Sequence, residues 1–521
     1  MRELFVDNFA GGGGASTGIE IAIGRSVDIA INHDPDAIAM HRANHPLTKH
    51  YCEDVWQVDP EEACDGIPVA LAWFSPDCKH FSRAKGGKPK DQNIRGLAWV
   101  AVKWAYAVRP RVIMLENVPE IKSWGPLGED NKPIKDREGE TFEGFILALT
   151  SGIPVSHPAF SEMCNALSIA PTSETAIALT RGLGYDIEYR VLKSCDYGAP
   201  TSRSRFYMIG RCDGKKIVWP APTHGPKNSK AVKTGSMLPY NSVADCIDWR
   251  IPMKSIFDRK KPLAENTLSR IAIGFQKYVV NNPEPYIVSV NHSGERFRGQ
   301  RINEPLATVT AKHGYALVSS VLVNYDANPV ALGHSLQAAC IMKNYAGRYN
   351  GTGQDSLNQL SSFTDKDHNC LVTAHLVTLR RNMIGQPIDE PLTTISCKPH
   401  HAAVIELLQR YVPGKGESVD ESLPIVTIHG RQYVVVDIQM RMLEPRELFN
   451  AQGFPWNYMI SPIINGKPYS KAKQTARCGN AVTPAVPAAL VRANLPEHCE
   501  SISSSRKSAS FQTVGYGAVA V

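Results

Sequence analysis

Along the first 116 residues, short apolar runs alternate with stretches of helical spacing. The runs at 4–6, 27–31, 69–73 and 112–115 are nearly continuous, with Asp28 the one polar interruption. A strand with one wet face alternates apolar and polar residues, whereas a strand buried on both faces does not. Such strands joined by helices predict a mostly parallel sheet covered on both sides. Ligands of these sheets sit beyond the carboxyl ends of the strands, so the residues just after each run are the first candidates for chemistry.

The pattern then changes. Residues 120–175 mix Pro, Gly and charge without a clear period and are expected to be an irregular insertion. A further α/β unit follows, closing on Tyr197-Gly-Ala-Pro-Thr-Ser-Arg-Ser-Arg-Phe-Tyr-Met-Ile-Gly210. From 213 to 440 short strands and turns are expected. Within that region Gln300-Arg-Ile-Asn-Glu-Pro-Leu-Ala-Thr-Val-Thr-Ala-Lys312 recurs as Gln386-Pro-Ile-Asp-Glu-Pro-Leu-Thr-Thr-Ile-Ser-Cys-Lys398. Two copies are too few for a solenoid, so a duplicated supersecondary unit inside one domain is expected. After Arg441 the character of the first region returns, and residues 501–521 form a Ser-rich tail expected to be disordered.

A chain of 521 residues with 43% hydrophobic and 21% charged composition can bury a large core and is not a disordered polymer. Its net charge of +7 permits a nucleic-acid partner without requiring one. The distribution is more telling. Six cations (Lys79, Arg83, Lys85, Lys88, Lys90 and Arg95) against Asp91 alone make the 79–95 stretch a cationic loop suited to a phosphate backbone. The twelve cysteines show neither Cys-x-x-Cys pairs nor zinc spacing, so no metal site and no disulfide framework are expected. No secretory leader and no membrane-spanning run is expected.

Three short segments carry candidate chemistry. The turn Asp7-Asn-Phe-Ala-Gly-Gly-Gly-Gly-Ala15 follows the first run; glycines there let backbone amides approach a ligand at a helix N-terminus. An acid about 20 residues on would hold a ribose, and Asp34 stands there. Next, Trp73-Phe-Ser-Pro-Asp-Cys-Lys-His-Phe-Ser82 places Cys78 after the third run, where it is either a nucleophile or a small buried hydrophobe. Then Glu116-Asn-Val118 ends the fourth run with a lone carboxylate, open to reading as a general acid or as a structural pair. Arg203 and Arg205, alternating along a strand, would share a face and suit bidentate recognition of a carbonyl or phosphate.

In combination and order these segments resemble the cytosine-C5 DNA methyltransferases of bacterial and phage type. Further segments share the resemblance: Phe9-Ala-Gly11-Gly-Gly13-Gly14, Asp54 after Tyr51-Cys-Glu, Leu443-Glu-Pro-Arg-Glu-Leu448 with Gln452-Gly-Phe-Pro455, and Gln474 with Cys478-Gly-Asn-Ala-Val-Thr-Pro484. The resemblance implies a Rossmann-like S-adenosylmethionine-dependent methyltransferase fold with a mostly parallel sheet, plus a smaller strand- and loop-rich target recognition domain. On it, 1–212 is the catalytic cofactor-binding domain, 213–440 the recognition domain and 441–500 the return to the catalytic domain. It implies that Cys78 attacks C6 of a flipped-out cytosine in double-stranded DNA, that Glu116 stabilises the ring at N3, and that Arg203 and Arg205 hold base and backbone. For S-adenosylmethionine it implies Phe9, Gly11, Gly13, Gly14, His33, Asp34, Asp54, Pro76 and Asn480. The family would have Pro directly before the nucleophile, Gln before the arginine pair and Glu on the second strand; here Asp77, Thr201 and His33 stand in those places. It further implies a cytoplasmic monomer in a bacterial or phage-infected cell, with a restriction endonuclease as a possible cognate. An RNA cytosine-C5 methyltransferase and a catalytically silent DNA-binding relative remain as alternatives.

Overall fold

The computed structural model describes residues 2–77, 96–126, 128, 134–248 and 440–500 (465 apart) in full. It adds short stretches between 251 and 272 and, from 286 to 442, the backbone of the strands named below. Cys78 and the cationic loop to Arg95 lie outside the described residues, as does the tail from 501.

Seven strands form the principal sheet: β1 Leu4–Asn8, β2 Ile29–Ile31, β3 Lys49–Tyr51, β4 Val69–Phe74, β5 Val112–Asn117, β6 Asp186–Lys193 and β7 Ser204–Arg211. Their spatial order is β3-β2-β1-β4-β5-β7-β6. Strands β1 to β5 pair in parallel, and β7 runs antiparallel to both β5 and β6. The apolar runs predicted from the pattern are the cores of β1, β2, β4 and β5. Each is buried along its whole length, as continuous rather than alternating runs require.

Successive side chains of β1 feed opposite layers. Leu4 and Val6 enter a cluster with Phe74, Trp99, Trp104, Phe142 and Phe145; Phe5 enters a second with Ile19, Trp73, Met114 and Leu490. The second layer is built by helix α1, Gly14–Ile23, packed against helix Ala485–Asn494 from the end of the chain. The chain after 441 therefore folds back beside the glycine turn.

One expectation is corrected. The 120–175 stretch is not irregular: helices Glu140–Leu149 and Ala159–Leu167 lie within it and supply Phe142, Phe145, Phe160 and Met163 to the first core. Apolar residues at 142, 145 and 149 do follow helical spacing. The Pro and Gly around them, which form the connections, obscured that period.

A second sheet contains the long strands Tyr315–Val321, Asn369–Thr378, His401–Arg410 and Arg431–Met442. The sequence repeat has a counterpart in its backbone. Gln300 and Gln386 each lie in a short strand, one paired with Tyr286–Ser289 and the other with Asn369–Thr378. The strands that follow them, Tyr315–Val321 and His401–Arg410, pair in parallel with Tyr315 opposite His401 and Val321 opposite Leu407, matching positions of the two copies.

Candidate functional site

Parallel register brings the carboxyl ends of five strands to one edge: Asn8 lies opposite Ile31 and Phe74, Ile31 opposite Tyr51, and Phe74 opposite Leu115. Phe9, His33, Asp54, Ser75-Pro76 and Glu116 thus emerge along one line. The glycine turn crosses that edge. Phe9 takes a positive φ of 66°, which a bulky side chain adopts only under constraint. Its neighbour Ala10 is tied to β2 by its N–H on the Ile31 carbonyl at 3.0 Å.

The four glycines divide into two pairs. A Cβ on Gly13 would lie 2.2 Å from the Tyr458 hydroxyl and 2.8 Å from His45 Nε2, and one on Gly14 would lie 2.0 Å from the Val482 carbonyl oxygen. Those two positions are closed by the protein itself. A Cβ on Gly11 or Gly12 would meet nothing nearer than 3.5 Å. The outer half of the turn is therefore less tightly closed: Gly12 faces Arg477 and Met40 at ordinary contact distance and Gly11 meets only the Phe9 carbonyl, so the backbone there suits a cradle for a nucleotide-like group.

Around the cradle, Asp54 is exposed after β3 and accepts the Trp56 N–H at 3.1 Å. His33 is exposed after β2. Asp34 is already engaged. One carboxylate oxygen caps helix α2, Pro35–Asn44, by accepting the Asp36 and Ala37 N–H groups, and the other pairs with Arg477. Burial pushes its carboxyl up, but Arg477 and the capping bonds prevail and hold it below the ordinary carboxylate range. Arg477 belongs to helix Lys471–Asn480, whose last residue, Asn480, is exposed.

On the other side of the edge, Glu116 is buried between two guanidiniums: Arg205 Nε at 3.3 Å and Arg203 Nη2 at 3.9 Å from Oε1. Arg205 lies on β7 and Arg203 immediately before it, so a single strand aims both at the end of β5. Thr201, in the place of the expected Gln, accepts the Arg203 N–H at 3.4 Å. Arg203 also donates to the Gly479 carbonyl at 3.1 Å, joining the carboxylate site to the helix that reaches the cradle. Asn117 donates from Nδ2 to the Pro76 carbonyl at 3.1 Å, tying β5 to the loop that leads to Cys78.

Sequence reasoning missed a buried polar network beneath the turn. Asp7 accepts both the N–H and the hydroxyl of Ser16, His41 lies 2.9 Å from that hydroxyl, and His41 and His50 meet at 2.8 Å. Burial, with His45 and His50 nearby, depresses His41; burial, Arg42 and His45 bring His50 down to about 4. Beside them Glu20 bonds His45, which faces Tyr458. Only an unusual density of His between 33 and 50 hinted at this. Among the described residues, no group of three or more His, Cys, Asp or Glu could hold a metal ion.

Comparison with known proteins places this geometry in context. The family model for C-5 cytosine-specific DNA methylase matches residues 4–129 and 170–494. The unmatched interval holds the two helices that complete the first core. The Type II methyltransferase M.AquIA of Picosynechococcus sp. is 24% identical over 47% of this chain and 88% of its own length. M.AgeI of Thalassovita gelatinovora is 25% identical over 42% of each chain, and M.SacI of Streptomyces achromogenes 24% over 42% of this chain and 48% of its own. The match thus spans most of the first relative and about half of the other two.

Proposed function

Because the chain belongs to the C-5 cytosine-specific DNA methylase family, we propose that this DNA cytosine-C5 methyltransferase extrudes a cytosine from double-stranded DNA and attacks it with Cys78. S-adenosylmethionine, when bound, supplies an electrophilic methyl group. The observation that carries the reading is the buried Glu116 held by Arg203 and Arg205, bonded through Asn117 to the loop that precedes Cys78.

Aromatic C5 is too weak a nucleophile to take a methyl group unaided. A bond from the Cys78 sulfur to C6 turns the ring into an enamine and loads charge on N3 and O2; Glu116, in its protonated form, would donate its proton to N3, and the guanidinium pair would donate to O2. C5, made nucleophilic in this way, would take the methyl group; loss of the C5 proton then re-forms the C5–C6 double bond and expels the thiolate. Phe9 and Gly11 would hold the methyl donor at the outer half of the turn, with Gly13 and Gly14 letting the backbone pack closely behind it. Asp54, Pro76 and Asn480 would hold it as well, Asp54 being the residue that would contact the adenine. His33, exposed beside the occupied Asp34, is the freer of the two to meet a ribose hydroxyl.

The recognition domain is assigned to 213–440, with the chain acting as a cytoplasmic monomer. The Type II names of the relatives support a cognate restriction endonuclease. No described helix is long and apolar enough to cross a membrane.

Covalent trapping tests the reading. The protein is incubated with S-adenosylmethionine and a mixed-sequence duplex containing 5-fluorocytosine, then run on a denaturing gel beside Cys78→Ser. Fluorine cannot leave as the C5 proton does, so a shifted band in the wild type alone is expected. The absence of a band, with DNA binding and target coverage confirmed separately, would overturn covalent catalysis on DNA. A band on 5-fluorocytosine RNA instead would move the substrate to RNA.

A further inference from the structure

Gly12 carries the outer turn of the cradle, and its carbonyl is held from an unexpected direction. The Tyr458 hydroxyl donates to it at 2.7 Å across 446 residues of sequence. Tyr458 is buried, and burial drives its phenol well above the ordinary range, so the hydroxyl keeps its proton and remains a donor. The same oxygen lies 3.3 Å from His45 Nε2, while Glu20 Oε2 fixes that imidazole from the other side at 2.8 Å. Thr17 completes the floor by donating to the Gly13 carbonyl at 2.7 Å. The absence of a Cβ on Gly13 is what lets Tyr458 and His45 come this close.

Tyr458 is also anchored toward the second sheet. Arg446 donates to its carbonyl at 2.8 Å, and its ring stacks on Phe449 with centroids 6.2 Å apart. Both residues belong to helix Pro445–Ala451. In that helix Glu447 accepts from Arg441 and from the Asp248 N–H, and Arg441 donates to the Asp248 carbonyl. Asp248 precedes the segment that forms the second sheet and Arg441 lies at the end of its last strand, so both crossings are bonded to the helix whose Arg446 and Phe449 hold Tyr458.

From this continuity we infer that Tyr458 is a positioning residue for the methyl-donor cradle, and that through it occupancy of the recognition region by DNA is coupled to affinity for the methyl donor. The inference rests on the methyltransferase reading. Tyr458 touches no reacting atom; it sets the conformation of the Gly11–Gly12 backbone that would meet the ligand. Removing the hydroxyl leaves the Gly12 carbonyl without its donor and frees the outer turn to sample other conformations.

Tyr458→Phe keeps the packed ring and deletes only the hydroxyl. Binding of S-adenosylhomocysteine, the demethylated product, is measured by calorimetry with and without duplex DNA, alongside steady-state kinetics. The dissociation constant is expected to rise about tenfold, on the scale of one lost hydrogen bond. KM for S-adenosylmethionine should rise with it, kcat at saturation should change less than about twofold, and the tightening brought by duplex should shrink. A purely structural role would lower the melting temperature but leave KM of the folded enzyme unmoved. Unchanged affinity in the variant would overturn the positioning role; wild-type affinity indifferent to duplex would overturn the coupling. A wild type that binds no S-adenosylhomocysteine would instead overturn the cofactor reading, and this inference with it.

Discussion

Asp7 sits where a charge is poorly tolerated. It is fully buried at the end of β1, and burial pushes its carboxyl up to about 7 although both Ser16 bonds favour the ionised form. The groups that face it are Ser16, His45, Glu20 and, on the returning segment, Tyr458. Because the folded value lies above the unfolded value of 3.8, the native state holds the proton more tightly. Its contribution to stability is therefore complete below about pH 4 and is lost as pH rises through 7, amounting to roughly 4 kcal/mol at most. Asp7→Asn, neutral throughout, should flatten the dependence of unfolding free energy on pH between 4 and 8. Parallel wild-type and mutant curves in denaturant titrations would rule this out. At this scale, local spacing led to Glu116, Arg203 and Arg205, because two arginines alternating on a strand must share a face. It could not lead to Asp34 with Arg477 or Gly12 with Tyr458: those partners lie more than 440 residues apart, and no local period records them.

Elements were legible where both faces are buried. Continuous apolar runs marked β1, β2, β4 and β5, while three-residue β3 passed unseen because its partly exposed Lys-His-Tyr carries no apolar signal. Helix Glu140–Leu149 was hidden by its connections rather than by its own residues. The contact between α1 and the returning segment could be inferred only through the resemblance, yet its physical basis is specific. Gly14 opens α1 against the Val482 backbone, and a Cβ there would reach within 2.0 Å of a carbonyl oxygen and 3.0 Å of the Val482 nitrogen. Alanine would gain about 1 kcal/mol as a better helix former, but overpacking against rigid backbone costs about 1–3 kcal/mol or more. Gly14→Ala should therefore be less stable than wild type and, on the cofactor role proposed for Asn480, should bind S-adenosylhomocysteine more weakly because the segment bearing that residue must move away. A higher melting temperature for this variant would show that the C-terminal segment yields freely and is not packed as described.

For the whole molecule, the decisive point is where the chain departs for the second sheet after 248 and comes back at 441. Glu447 is buried there. It accepts two bonds from Arg441, at 2.7 and 2.9 Å, along with the N–H groups of Asp248 and Glu444. Burial works against the Arg441 charge, but Glu447 beside it holds the guanidinium above its ordinary value. Removing one member of such a pair leaves the other charged and desolvated, which costs about 3–5 kcal/mol; replacing both by apolar groups is often near neutral. Glu447→Gln should thus destabilise strongly, and adding Arg441→Met should restore part of the loss, although the Asp248 carbonyl also loses its donor. Denaturant unfolding of the two single variants and the double variant closes the cycle. A double variant no more stable than Glu447→Gln would mean that the ion pair is not what holds the two crossings together. Recovery of stability without recovery of DNA binding would separate holding from aiming: the segment between the two crossings would remain attached, while DNA binding, assigned to that segment in the proposed reading, would depend on the Arg441–Glu447 geometry itself.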